Sequence, residues 1–172
     1  MKKVSAVLCA VLSVLFLASA FAGEDNFVRW ERIVGVITAL NVDNPVGNIH
    51  SGTFPWTTRS GLARVDLTTG AVNWEVDGLN INGAVFSGTP GPITAVRGTL
   101  VCNAGGNQTV FDTAQVPLSV HGDAQFSGHF NQGAPGTCGN PIFLIRIVAP
   151  AAAGGRWIAT GANPSILDQN NF

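Results

Sequence analysis

Apolar and polar residues alternate with a period of two along much of the chain, and no segment sustains the 3.6-residue period of a helix. The alternation is clearest in GLARVDLTTGAVNWEV, residues 61–76. Glycine after the two threonines at the centre of this stretch can take the positive φ of a tight turn. The pattern therefore predicts an antiparallel β-hairpin. Its buried face comprises Ala63, Val65, Leu67, Val72, Trp74 and Val76.

The other candidate strands are shorter or more continuously apolar. Residues 28–40 include IVGVITAL, which predicts a strand that is buried on both faces or interrupted by a bulge at Gly35. Residues 93–102 form a second long candidate, with a bulge expected at Gly98. We expect one helical turn over residues 164–169. The remaining predicted strands cover residues 108–112, 115–120, 124–130, 142–148 and 155–161.

About eight to ten short strands separated by Gly-, Pro- and Asn-rich turns predict an all-β fold. We expect an antiparallel β-sandwich of immunoglobulin-like or Greek-key type, with a small β-barrel as the alternative. Residues 23–172 contain no linker and suffice for one core, so a single β domain is predicted.

Residues 1–22 have the pattern of a secretory signal peptide. Lys2 and Lys3 precede an apolar run that is shorter than the roughly 20 residues of a membrane-spanning helix. Small residues at Ala20 and Ala22 predict cleavage before Gly23. We therefore expect an exported bacterial protein, periplasmic or extracellular, with no transmembrane segment after cleavage.

Loss of this segment removes both lysines, so the seven arginines of the mature chain face ten acidic residues and the net charge is −3 (7 − 10). No basic patch is evident, which argues against binding to nucleic acid or to anionic membrane surfaces. No motif for a cofactor is found, and no cofactor is predicted. Partners are otherwise open: a protein or a small-molecule ligand fits the sequence.

Two cysteines, Cys102 and Cys138, remain after cleavage. An even number in an exported chain indicates a disulfide, with a free thiol pair or two metal ligands as alternatives. The bridge would bring the end of the strand over residues 93–102 beside the start of the strand over residues 142–148.

The stretch SGTFPWTTRSG, residues 51–61, places two aromatic residues in a predicted loop. Phe54 and Trp56 could cover one end of the core, which is the commoner role of such residues. Alternatively Phe54, Trp56 and Arg59 could form an exposed stacking surface for a sugar or an apolar ligand. In a barrel, Phe54, Trp56, Trp74 and Trp157 would line a ligand pocket.

A second candidate site consists of His121, Asp123 and His129, which would meet across a predicted hairpin. Two imidazoles and a carboxylate can hold zinc or copper when water completes the coordination. The spacing matches no metal motif, and solvated histidines are the simpler interpretation. The chain also lacks a G-x-S-x-G nucleophile elbow and a phosphate-binding loop, so no catalytic residue is assigned.

The run SGLARVDLTTGAVNWEVDGL, Ser60 to Leu79, resembles the opening of the CHRD domain, a secreted immunoglobulin-like β-module. GTPGPITAVRGTL is loosely similar to a later strand of that family. The family usually carries a His-rich stretch after the Gly-Leu, and NINGAVFSG occupies this place here, so the resemblance implies no histidine-based role. The chain is also similar to small exported bacterial proteins of unassigned function that contain GxFPWT and GTLVCN.

These observations predict an exported, non-catalytic β-sandwich module with a binding or structural role. The first alternative is a small β-barrel that binds a sugar or an apolar ligand. The second is a metal-dependent or hydrolytic enzyme that uses His121, Asp123 and His129.

Overall fold

The structure is a computed structural model that describes residues 26–83 and 85–167. The predicted signal peptide lies outside the described residues. The described part of the chain is all-β, as expected, and its helical structure is limited to a 3₁₀ turn at Ala151–Ala153. No helix in this part is long and apolar enough to cross a membrane.

A nine-stranded antiparallel sheet contains most of the strands, and its order is β7-β6-β10-β11-β1-β3-β4-β9 with β8 also paired to β6. The sheet curls into a half-barrel, an arrangement compatible with the predicted sandwich or small barrel. A separate pair is formed by β2 and β5. The strands are β1 (Phe27–Gly35), β2 (Trp56–Thr57), β3 (Ser60–Asp66), β4 (Ala71–Asp77), β5 (Asn80–Ile81), β6 (Ala95–Cys102), β7 (Thr109–Asp112), β8 (Val116–Pro117), β9 (Ala124–His129), β10 (Ile142–Ala149) and β11 (Trp157–Leu167).

The predicted hairpin is confirmed as β3 and β4. Ala63 lies opposite Trp74 and Val65 opposite Val72, so the apolar residues of both strands share the buried face. Gly70 has a φ of +76°, as a tight turn requires. The period-two pattern therefore identifies both the strands and their register.

The prediction of a strand from residue 28 to residue 40 is wrong in its second half. Strand β1 ends at Gly35, and Ile37 is 90% exposed. Gly35 is not a bulge: a Cβ atom there would overlap the carbonyl of Trp56, so the glycine permits a close approach of two backbones. Beyond this point the chain leaves the sheet.

The predicted bulge at Gly98 and the predicted helical turn over residues 164–169 are also wrong. Gly98 pairs in register with Ile145, so β6 has no bulge there, and the glycine makes room for the Trp74 ring. Residues 164–167 extend strand β11 instead of forming a helical turn, because they pair with the start of β1. Residues 168 and 169 lie outside the described residues.

The two ends of the curled sheet approach each other along a seam. The segment over residues 109–118 runs beside β6, and the chain then turns and returns as β9. Backbone hydrogen bonds cross the seam at both ends, from Ser119 N to Asp123 O (2.9 Å) and from Asn131 N to Asp112 O (2.9 Å). Phe111 and Phe130 pack across one end, with 5.9 Å between ring centroids.

Large aromatic side chains fill the space inside the curl. Trp30, Trp74 and Phe143 are at most 2% exposed, and the ring centroids of Trp30 and Phe143 lie 5.5 Å apart. Gly98 and Gly161 face Trp74 and Trp30, where a Cβ would collide with each indole. The interior is therefore a packed core.

The predicted disulfide is present between Cys102 and Cys138, whose Cα atoms are 5.0 Å apart. It joins the last residue of β6 to the loop that precedes β10. Strands β6 and β10 are antiparallel neighbours, as the bridge led us to expect.

Candidate binding groove

The short pair β2–β5 forms a lid over one end of the curled sheet. Trp56 lies opposite Ile81, and both are buried, with 3% and 1% of their surface exposed. The Trp56 N–H donates to Val36 O (2.8 Å), which fastens the lid to the chain just beyond β1. Trp56 therefore covers the core, and it does not offer an exposed stacking surface. Phe54 is half-buried and meets Phe86 edge-on at 6.4 Å.

The expected aromatic pocket is not formed either. Trp56, Trp74 and Trp157 are 3%, 2% and 6% exposed and pack in the core. The Trp157 indole N–H donates to Asn44 O (2.8 Å), so its polar atom is used within the chain. These rings are buried in the core, so they do not present an exposed surface to a ligand.

The predicted metal site is also corrected. His129 ends β9 and lies opposite Ala71, whereas His121 occupies the turn before β9 begins. The length of the strand separates the two imidazoles. Within residues 26–83 and 85–167, no group of three His, Cys, Asp or Glu side chains is placed to hold a metal ion.

The structure instead combines residues from the two predicted sites. Arg59 follows the lid, and His121 and Asp123 lie in the turn before β9. All three border a groove of about 590 Å³, which we call the Arg59 groove. Its remaining lining is polar or glycine: Thr57, Thr58, Gly78, Asn80 and Gly88.

Asp123 is held firmly by the fold. Its carboxylate accepts hydrogen bonds from the Gly78 N–H (2.9 Å) and from Ser119 Oγ (3.3 Å), and Arg59 Nη2 lies 3.6 Å away. The pKa of Asp123 lies below its ordinary value, chiefly because the Gly78 N–H stabilises the carboxylate, against a smaller opposing effect of desolvation. Asp123 is therefore a fixed negative charge at the groove.

Arg59 is much less restrained. Its side chain is 72% exposed, and its Nη2 lies 3.6 Å from the Asp123 carboxylate. An exposed pair at this distance contributes little to stability. The guanidinium is therefore free to turn toward a bound group without cost to the fold.

A second groove of about 600 Å³ begins on the other side of Asp123 and follows the seam. Glu75, Asp77 and Gln125 contribute polar groups, and Val116 and Pro117 contribute apolar surface. Its charged groups are all acidic, in contrast to the Arg59 groove. Asp123 borders both grooves, so a chain-like ligand could extend from one into the other.

One cluster of polar residues, formed by Asp43, His50 and Ser51, is not predicted by the sequence. Asp43 accepts hydrogen bonds from the His50 ring and from the Ser51 N–H (2.8 Å). The Ser51 hydroxyl also points at Asp43, and Ser51 is completely buried. A nucleophilic serine needs an exposed hydroxyl bonded to the histidine, so the cluster is not a catalytic triad. An irregular loop brings these residues together, and no local sequence pattern signals such a contact.

Comparison with known proteins found no matching family model, no matching curated protein and no matching solved structure. The resemblance of Ser60–Leu79 to the CHRD domain therefore stays a prediction.

Proposed function

We propose that this protein is an exported, non-catalytic β-module that binds a polyhydroxylated ligand, such as an oligosaccharide, in the Arg59 groove. The observation that supports this proposal is the exposed Arg59 guanidinium beside the fixed Asp123 carboxylate. A guanidinium donates paired hydrogen bonds, and a carboxylate accepts them from hydroxyl groups. Asn80 and Thr57 add further polar groups along the same groove.

Two other arginines, one on β6 and one on β10, support this assignment by contrast. Arg97 and Arg146 are only 32% and 19% exposed in their side chains, and both pair with Asp112. Arg146 also donates from Nε to Gly155 O (2.9 Å). Those guanidiniums hold strands together, whereas the Arg59 guanidinium makes no comparable contact with the part of the chain that the structure describes.

Export is supported by the signal-peptide pattern of residues 1–22 together with the disulfide. The non-catalytic role is supported by the buried Ser51 and by the separation of His121 from His129. Since Trp56 is buried, the groove has polar contacts and lacks an indole platform, so we expect weak binding with fast exchange.

NMR titration of the exported chain with a panel of neutral and acidic oligosaccharides tests the proposal. We expect one class to shift the signals of Arg59, Asn80 and His121 in a saturable way. Arg59→Ala should weaken that binding about tenfold, which corresponds to about 1.4 kcal/mol for one charge-assisted contact. Arg64→Ala is the control, because Arg64 is exposed on β3 and stacks on Phe27 away from this groove. Unchanged binding by Arg59→Ala, or no response to any member of the panel, would refute the proposal.

A further inference from the structure

The exposed large hydrophobic side chains are gathered at one end of the molecule. Among the described residues there are six: Ile37, Leu40, Val42, Val85, Phe86 and Val120. They lie in the connections from β1 to β2, from β5 to β6 and from β8 to β9. Isolated exposed apolar residues are ordinary on a protein surface, but a shared location indicates an interaction surface.

The register of the strands shows that these connections share one end of the sheet. Ser60 at the start of β3 pairs with Asp77 at the end of β4, and the start of β9 pairs beside it. Across the seam, Ala95 at the start of β6 pairs with Pro117 at the end of β8. Strand β1 ends at this same level, because it runs antiparallel to β3.

Three segments at this end carry no charged side chain: residues 34–42, 51–58 and 80–94. They lie side by side, since Asn41 N donates to Thr53 O (2.8 Å) and Asn82 N donates to Pro55 O (2.9 Å). Five of the six exposed hydrophobic residues belong to the first and third segments. We call these three segments the apolar end; Asp43, Arg59 and Asp123 lie at its borders.

We propose that the apolar end inserts into the boundary between headgroups and acyl chains of a zwitterionic lipid bilayer. Ile37 and Val85 are 90% and 85% exposed, so they project from the surface instead of forming a flat face. Projecting apolar side chains can enter the acyl region while the loop backbone stays among hydrated headgroups. The three segments carry no charge, and the charged residues at their borders, Asp43 and Arg59, would stay in the hydrated headgroup layer.

The charge of the molecule selects the kind of membrane. The mature chain carries no lysine, and its seven arginines are outnumbered by ten acidic residues. Anionic headgroups would repel this net charge, whereas zwitterionic headgroups would not. A second copy of the chain is a less suitable occupant, because side chains that project singly do not make the flat, complementary patch of a two-fold interface.

The inference goes beyond the proposed saccharide binding and rests on other exposed side chains, although Thr57, Thr58, Asn80 and Gly88 belong both to the apolar end and to the lining of the Arg59 groove. Vesicles of pure phosphatidylcholine should bind the exported chain from which residues 1–22 have been removed, as measured by flotation. Ile37→Ser with Val85→Ser should weaken partitioning at least about tenfold, since two projecting side chains are lost. Both positions are exposed, so the melting temperature should not change. Ala134→Ser, on the loop after β9 at the opposite end, is the matched control.

Addition of phosphatidylglycerol should lower binding. Failure of the chain to float with phosphatidylcholine vesicles would overturn the proposal, as would equal binding by the double variant. A dimer in sedimentation equilibrium that Ile37→Ser with Val85→Ser dissolves would also overturn it, in favour of a second copy. Arg59→Ala should float normally, so failure of the saccharide proposal and failure of this one are distinguishable.

Discussion

Gly98 shows how a single residue sets the size of the core. It faces the inside of the curl, where an added Cβ would lie 2.7 Å from both Trp74 Cδ1 and Phe143 Cζ. Both rings are fully buried and cannot move aside without shifting their neighbours. We expect Gly98→Ala to lower the free energy of unfolding by about 2–3 kcal/mol, as measured by urea denaturation. Gly105→Ala is the control, because nothing lies within 4 Å of a Cβ there. Equal stability of the two variants would contradict this packing.

Asp43 should make one loop sensitive to acid. Its pKa is below its ordinary value of 3.8, first because the His50 ring donates to it and second because the Ser51 N–H does. A carboxyl whose pKa is lowered by folding stabilises the folded loop above its unfolded pKa, and this contribution is lost as the pH falls through the folded pKa. We therefore expect hydrogen-exchange protection of the Ser51 N–H to be complete above about pH 4 and to decline at lower pH.

A carbon-detected NMR titration of the Asp43 carboxyl measures the same effect directly. His50→Ala should raise the pKa of Asp43 toward 3.8, because it removes the principal donor. His129→Ala, at the far end of β9, should leave that pKa unchanged. If both variants titrate like the wild type, the His50–Asp43 contact does not exist in solution.

Three residues of the candidate groove were singled out from the sequence, but their combination and the other lining residues were not. Arg59, His121 and Asp123 attract attention as exposed or titratable residues in loops. Arg59 is separated from Asp123 by more than sixty positions, and only the pairing of β3 with β4 and of β4 with β9 brings them together. Local patterns carry no information on that pairing. The buried state of Trp56 depends on the same long-range arrangement.

At the scale of elements, the disulfide ties the loop before β10 to the end of β6. Cys138 lies in the loop between β9 and β10, and Cys102 ends β6, at a sequence separation of 36. A bridge that closes a loop of this size contributes about 3–4 kcal/mol in the chain-entropy description. We expect reduction to lower the free energy of unfolding by this amount in urea denaturation. The Cys102→Ser, Cys138→Ser variant serves as control, since its stability should not respond to the reductant. An equal response of both proteins would show that the reductant acts elsewhere.

The elements also show which signals in a sequence are dependable. The β3–β4 hairpin follows its alternating pattern because one face of each strand is buried and the other is wet. The run over residues 34–42 is equally apolar, yet it leaves the sheet and exposes Ile37 and Leu40. Apolar composition alone does not distinguish a buried strand from a loop that presents an apolar surface. An alternating apolar and polar pattern does make this distinction.

At the scale of the whole molecule, a half-barrel needs its open end covered. The lid of β2 and β5 places Trp56 and Ile81 over the core, and Thr58 Oγ1 donates to Ile33 O (2.7 Å) beside them. Arg59 directly follows this lid, and its strands β2 and β5 belong to the segments 51–58 and 80–94 of the apolar end. Both proposed binding surfaces therefore depend on one two-stranded element.

Trp56→Ala tests this dependence. Removal of a fully buried indole should lower the free energy of unfolding by about 3–5 kcal/mol, because it leaves a cavity under the lid. Thr57→Ala, at the exposed neighbouring position of β2, should change it by less than about 0.5 kcal/mol. Below the midpoint of unfolding, the Trp56→Ala protein should also show increased hydrogen exchange at Ile81 and in the segment around Arg59, while the β3–β4 hairpin stays protected. Unchanged stability with altered ligand binding would instead identify Trp56 as a binding surface and show that β2 and β5 do not cover the core.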